Sequence, residues 1–150
     1  MAQFKKKNLT VDLSLHFSVT TILCILTYIK FKDFSYVLLC LAGGIFIDLD
    51  HLFDYFYHHK FKFSLRRFFD REFLKSGKVF LPFHSWEVFF LLLFLAFYLK
   101  SDGLAIFCLA MGAHLLIDYF QNPNRLFYFL IHRVKKRFNL RELNPGRYQE

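Results

Sequence analysis

The chain has 150 residues, of which 55% are hydrophobic, 21% aromatic and 21% charged, with 23 Phe and a formal charge of +8. A mean hydropathy of +0.30, with apolar and charged residues separated into blocks, excludes an ordinary water-soluble domain, and no compositional boundary divides the chain into two. The basic residues sit between apolar runs rather than on one recognition surface, so anionic lipid is the expected partner and nucleic acid is not.

A membrane-spanning helix needs roughly 20 mostly apolar residues, and four windows approach that: residues 9–29, 35–57, 84–99 and 104–120. The predicted fold is therefore an all-α integral membrane bundle of about four transmembrane helices. Lys5, Lys6 and Lys7 precede the first window and no small-residue cleavage site follows it, so it reads as a retained span; no lipidation motif is visible. Residues 58–82 are too polar to span. There Phe61, Phe63, Phe68, Phe69 and Phe73 interleave with Lys60, Arg66, Arg67, Arg71, Lys75 and Lys78, the composition of an amphipathic loop lying on anionic lipid. After the fourth window, residues 126–131 are apolar but short and run into Arg133, Lys135, Lys136 and Arg137, which predicts a short interfacial helix in a C-terminal tail of residues 126–150. Positive charge thus flanks the bundle at the 58–82 loop and at both ends, while loops 30–33 and 100–103 carry less, so the positive-inside rule predicts a multi-pass protein with both termini cytoplasmic. Cys24, Cys40 and Cys108 lie in apolar runs without CxxC spacing and read as packing residues.

An ionisable side chain within a span costs several kcal/mol unless it is paired or solvated, which makes each one a candidate functional residue. They are His16; Asp48, Asp50, His51 and Asp54; His84 and Glu87; His114 and Asp118. With spans running alternately outward and inward, all four groups fall in the cytoplasmic leaflet. His114 and Asp118 are i and i+4, as are Asp50 and Asp54, while His84 with Glu87 and His51 with Asp54 are i and i+3; these intervals put both side chains on one helix face. Imidazole with carboxylate suits zinc, manganese or iron, and without thiolates it matches a catalytic site better than a structural zinc site. Each residue also has a bland role: a packing histidine at His16, an end cap at Asp48, solvated interfacial groups at Asp54, His58 and His59, and a dipole-stabilised first-turn carboxylate at Glu87. Convergence from four helices is what points to metal. Gly43, Gly44 and Gly112 are small residues that either let helices approach closely or pack against lipid.

The order of these motifs resembles the YdjM-like family of inner-membrane-associated metal-dependent hydrolases, also described as LexA-binding. The resemblance rests on Leu15-His16-Phe17-Ser18, Asp48-Leu49-Asp50-His51, His84-Ser85, and Gly112-Ala113-His114 with Asp118. It implies a hydrolase of the inner (cytoplasmic) membrane, distantly similar to zinc-dependent phospholipase C, whose multinuclear zinc cluster cleaves phosphoesters. This chain departs from the family at Val79-Phe80-Leu81-Pro82-Phe83, where the family has His-Arg-Gly, so a ligand or phosphate contact is missing unless His58, His59 or Arg66 replaces it. It departs again at Gln121-Asn122-Pro123-Asn124, where the family tends to Thr-Pro and Gly. Its lysine-bearing N-terminus is also ill suited to supply the amine ligand of the phospholipase relatives.

On this resemblance the expected metal ligands are His16, Asp50, His51, His84, His114 and Asp118 around two or three zinc ions, with manganese or iron as alternatives. Asp50 or Asp118 bridges the ions. Glu87 and Asp48 are the expected catalytic residues, Glu87 as ligand or general base and Asp48 orienting a histidine. Ser85 is a hydrogen-bonding neighbour rather than a nucleophile. Depth and charge make the expected substrate a phospholipid or lipid-linked phosphate at the cytoplasmic leaflet. Two rival classes are a metal transporter or metal-sensing membrane protein, whose polar residues should continue outward although only Thr27 does, and a non-catalytic interaction protein whose basic tail from Arg133 to Arg147 binds a partner.

Overall fold

The computed structural model of the chain describes residues 9–60, 64–69, 77–122 and 124–143. Their regular structure is helical: α1 (Leu9–Phe31), α2 (Phe34–Gly44), a 3-10 turn (Phe46–Asp50), α3 (His51–His59), α4 (Leu65–Phe69), α5 (Trp86–Tyr98), α6 (Asp102–Gln121), a second 3-10 turn (Arg125–Tyr128), α7 (Leu130–Lys135) and α8 (Leu140–Leu143). An isolated antiparallel bridge joins Lys78 to Asn139.

Short polar side chains set the helix starts. Asp33, Ser85 and Ser101 sit in extended backbone, and their side-chain oxygens accept from the amides of Ser35 (2.8 Å), Val88 (3.3 Å) and Leu104 (3.3 Å), satisfying donors that have no partner inside α2, α5 and α6. Helix α6 lies at the centre and packs on α1, α2 and α5. Glycines set these approaches: a Cβ on Gly43 would overlap the backbone of Phe107 and Met111 on α6, one on Gly44 would meet Thr20 on α1, and one on Gly112 would meet Phe89 on α5. One apolar cluster gathers Cys24, Val37, Cys40, Ile106 and Ala110. A second, at the other end of the bundle, joins Ile47, Met111 and Leu115 to Val79, Leu81, Phe127, Tyr128, Leu140 and Leu143. The three cysteines are free and buried, as packing residues should be.

Helix α1 is inside out. Its buried stripe is Asp12, His16, Thr20, Cys24 and Thr27, while Val11, Leu13, Phe17, Ile22, Ile25 and Ile29 are exposed. A water-soluble amphipathic helix has the reverse polarity.

Among the described residues, fewer elements are long enough to cross a membrane than the four expected. Helices α1 and α6 are long and apolar enough; α2 joined to the Phe46–His59 segment is a third candidate only as a pair bent by 50°. Residues 35–57 are thus a broken helix rather than a single span. Window 84–99 yields a 13-residue α5, about 20 Å long at the usual rise and short of a roughly 30 Å hydrocarbon core. His84 lies before this helix, because Ser85 is the N-cap, and so the expected one-face pairing of His84 with Glu87 does not form.

The C-terminal segment also differs from the expected interfacial helix. Phe127 and Tyr128 are in the core, and Arg133, read as a cytoplasmic surface charge, has 0% exposure. Its guanidinium donates to the carbonyls of Phe80 (2.5 Å), Leu81 (2.7 Å) and His84 (3.0 Å), in the loop that carries His84. Burial draws the pKa of Arg133 below its usual value, against the opposing pull of Asp50, Glu87 and Asp54. Within the basic aromatic loop the structure shows the short α4 with Arg67 exposed. Phe61, Phe63, Arg71, Phe73 and Lys75 lie outside the described residues, as do Lys5, Lys6, Lys7 and Arg147.

Candidate metal centre

The site begins with the break after α2. In a continuous helix the Gly44 carbonyl would accept from the amide of residue 48, but the Asp48 amide donates to Ile45 instead (3.2 Å), tightening the chain into a 3-10 turn. The Gly44 carbonyl is thereby released, and His114 Nδ1 on α6 donates to it at 2.9 Å.

Across the cluster, His84 is held in the same way. Its Nδ1 lies 2.9 Å from both carboxylate oxygens of Asp50, and Asp50 also accepts from the amides of Phe83 (3.1 Å) and His84 (3.2 Å). Both histidines therefore carry their proton on Nδ1 when neutral, a tautomer assigned from the acceptors they face. Their Nε2 atoms then point at each other 3.2 Å apart.

Two carboxylates close on the same spot. Asp48 Oδ1 is 3.2 Å from His84 Nε2 and 3.5 Å from His114 Nε2. Asp118 Oδ2 is 3.5 Å from His84 Nε2 and 3.4 Å from His114 Nε2. Two imidazole lone pairs and two carboxylate oxygens at this range require positive charge at their centre, supplied by protons on the imidazoles or by a metal ion. A metal fits the spacing: ligands of a tetrahedral zinc with bonds of about 2.0–2.1 Å stand about 3.3–3.4 Å apart, and each carboxylate oxygen with the two Nε2 atoms makes a triangle of 3.2–3.5 Å sides. Three corners are closed and one is open, with side-chain exposures of 1% for His84 and His114, 13% for Asp118 and 40% for Asp48.

The second oxygen of Asp118 extends the cluster. Asp118 Oδ1 lies 3.5 Å from His16 Nε2, and the His16 and His114 rings are in tilted contact, 39° between planes, with centroids 4.1 Å apart. His51 Nε2 stands 3.7 Å from Asp48 Oδ1. Three overlapping groups can hold a metal ion: His16, His114 and Asp118; Asp48, His84 and His114; Asp50, His51 and His84. All six expected ligands fall within these groups, with Asp48 among them, but Asp50, expected as a ligand that could bridge the ions, faces Nδ1 of His84 and not the paired Nε2 atoms. The orienting contact expected of Asp48 is made by Asp50.

Glu87 stands elsewhere. Its carboxylate accepts from the amides of Leu130 (2.8 Å) and Ile131 (3.0 Å), capping the first turn of α7. Asp54, expected as a solvated interfacial group, has 2% exposure and accepts from the Phe80 amide at 2.8 Å. His58 and His59 are half-buried at the end of α3, where their rings meet each other and that of His59 also meets Tyr55, and neither belongs to the metal-binding groups. Asp12 was missed: it has 7% exposure and its Oδ1 is 3.5 Å from His16 Nε2, a contact that the i, i+4 spacing could have revealed. The Gly44 carbonyl has no side-chain signal at all. No family model, no curated protein and no solved structure matches this chain.

Proposed function

We propose that this chain is a membrane-bound metal-dependent hydrolase that cleaves a phosphoester of a phospholipid or lipid-linked phosphate, with zinc as its metal. One observation carries the reading: the Nε2 atoms of His84 and His114 meet with a carboxylate oxygen of Asp48 and one of Asp118 each within 3.5 Å of both, and both imidazoles are turned metal-ready by acceptors at Nδ1. The inverted polarity of α1 supports a lipid setting. In this reading α1, the bent α2–α3 pair, α5 and α6 form the membrane bundle, both termini are cytoplasmic and the cluster lies in the inner leaflet. The non-helical stretch before α5 is tolerated there because Val79, Leu81, His84 and Ser85 are buried in protein. The motif order that resembles the YdjM-like hydrolases supports the same chemistry.

His84, His114 and Asp118 would hold the principal ion, and His16 with the other oxygen of Asp118 a second. Zinc at such a site supplies Lewis acidity and a water of lowered pKa. Asp48, at the open corner, accepts a proton from the attacking water; the new phosphorus–oxygen bond forms, the ester bond breaks, and the leaving alkoxide takes up that proton. Asp50 and the Gly44 carbonyl keep the two imidazoles fixed throughout.

The test is elemental mass spectrometry of detergent-purified protein beside a His114→Ala, Asp118→Ala double variant. Two or three zinc ions per chain, lost in the variant, would support the reading and justify a phosphate-release assay on anionic lipids. Absence of bound metal in both, after reloading with zinc and manganese, would overturn it. The broken α2–α3 helix favours a second reading, metal transport, since transport sites are often built at helix breaks. Beyond Thr20, however, the route along α1 is closed by the packed Cys24, Val37, Cys40, Ile106 and Ala110.

A further inference from the structure

Gly44 sits against Thr20 of α1, and just past it the backbone bends by 50°. Between α1 and the bend is a cavity of about 330 Å³, lined by Leu13, Ser14, His16 and Phe17 from α1 and by Ile45 and Asp48 from the bend. This volume is at the lower end of ordinary ligand sites, about 300–1,000 Å³. Its two ends differ in chemistry. His16 and Asp48 belong to the metal-binding cluster, and Asp48 is the corner left open. Leu13, Phe17 and Ile45 make the other walls apolar, and Leu13 and Phe17, at 45% and 63% exposure, are i and i+4 on one face of α1 and open outward.

We propose that this cavity binds the first part of the apolar chain of an amphiphilic phosphoester, which reaches the cluster sideways from the lipid through a mouth between α1 and Ile45. The phosphate is placed at His16 and Asp48 by their position in the cluster, and the chain leaves along Leu13 and Phe17. A small hydrophilic phosphoester would match the polar end alone and leave the apolar walls wet, so selection of lipid over soluble phosphate follows from the shape of the site. The placement of the phosphate rests on the metal-hydrolase reading; the apolar mouth rests on the cavity itself.

Photo-crosslinking tests it with a readout that needs no turnover. The zinc-loaded full chain in phosphatidylcholine nanodiscs is irradiated with phosphatidic acid carrying a diazirine near the glycerol end of one acyl chain, and in parallel with the matching diacylglycerol, which lacks the phosphate. Adducts of the phosphatidic acid on Leu13, Phe17 and Ile45, at least fivefold above those of the diacylglycerol, with equal labelling by both on Leu109 and Leu116 of α6, would support the proposal. The same labelling pattern from both probes would overturn it. Ser14→Trp, which fills the cavity, should cut the adducts on Ile45 at least fivefold; if that variant fails to fold, Phe17→Ala, which removes a wall, should cut them at least threefold, and no change would count against the site. Phosphate release separates the two readings. Equal turnover of phosphatidic acid and glycerol 3-phosphate, unaffected by Ser14→Trp, would overturn the lateral site and leave the hydrolase standing. Focused labelling in a protein that binds no metal would overturn the hydrolase and leave the lipid cavity standing.

Discussion

The Nδ1 contacts of His84 and His114 do the same work with unlike partners, a carboxylate in Asp50 and a backbone carbonyl at Gly44. Outer contacts of this kind typically tune metal affinity by about 10–100-fold. Asp50→Asn should therefore weaken zinc binding by that order, measured by competition with a chelating dye, while leaving ion stoichiometry unchanged. Glu87 separates a structural from a catalytic role. As a cap on α7, Glu87→Gln should lower stability by about 1 kcal/mol and leave turnover intact, whereas loss of a general base would cost about 10²–10⁴-fold in rate; denaturation and a phosphate-release assay on one preparation decide. Arg133→Met removes the donor to three buried carbonyls and should destabilise by about 3 kcal/mol, read from the shift in a denaturation midpoint. Members of the cluster were legible at this scale because helical spacing and the scarcity of charge in apolar runs are local properties. His114 and Asp118 do share a face, with Nε2 and Oδ2 3.4 Å apart. Arg133 was not legible, since nothing local distinguishes it from exposed Lys135 and Arg137 two and four residues on.

Among the elements, the break between α2 and α3 matters most to the site. It releases the Gly44 carbonyl and carries Asp48 to the open corner. Its geometry depends on the close seat of Gly43 against the backbone of Phe107 and Met111. Backbone cannot yield as a side-chain tip can, so Gly43→Ala should destabilise by about 1–3 kcal/mol and lower zinc occupancy with it. Hydropathy averaged over residues 35–57 could not see this break, because the apolar residues on either side outweigh Asp48, Asp50 and His51 and the window carries no proline. It likewise overran the start of α5, where Ser85 caps the helix and leaves His84 in the preceding loop.

Over the whole molecule, the cluster ties α1, the α2 break, the loop before α5 and α6 into one unit. Metal that binds only the folded chain adds about 2.7 kcal/mol of stability at 100 times its Kd. Chelation with EDTA should accordingly lower the thermal midpoint in detergent, and zinc should restore it; an unchanged midpoint would mean that protons rather than metal balance the cluster. Composition, residue spacing and the sequence order of motifs by themselves determined a helical chain with long apolar segments and a short list of residues that could hold a metal, since these follow from local periodicity and from the scarcity of charge in apolar runs. Only the tertiary structure decided which atoms meet: that Asp50 turns to Nδ1 and Asp48 to Nε2 of His84, that Glu87 caps α7, and that Arg133 lies at the centre of the fold. Those choices rest on where backbone carbonyls and amides are left without partners once helices break and pack, a property of the assembled chain.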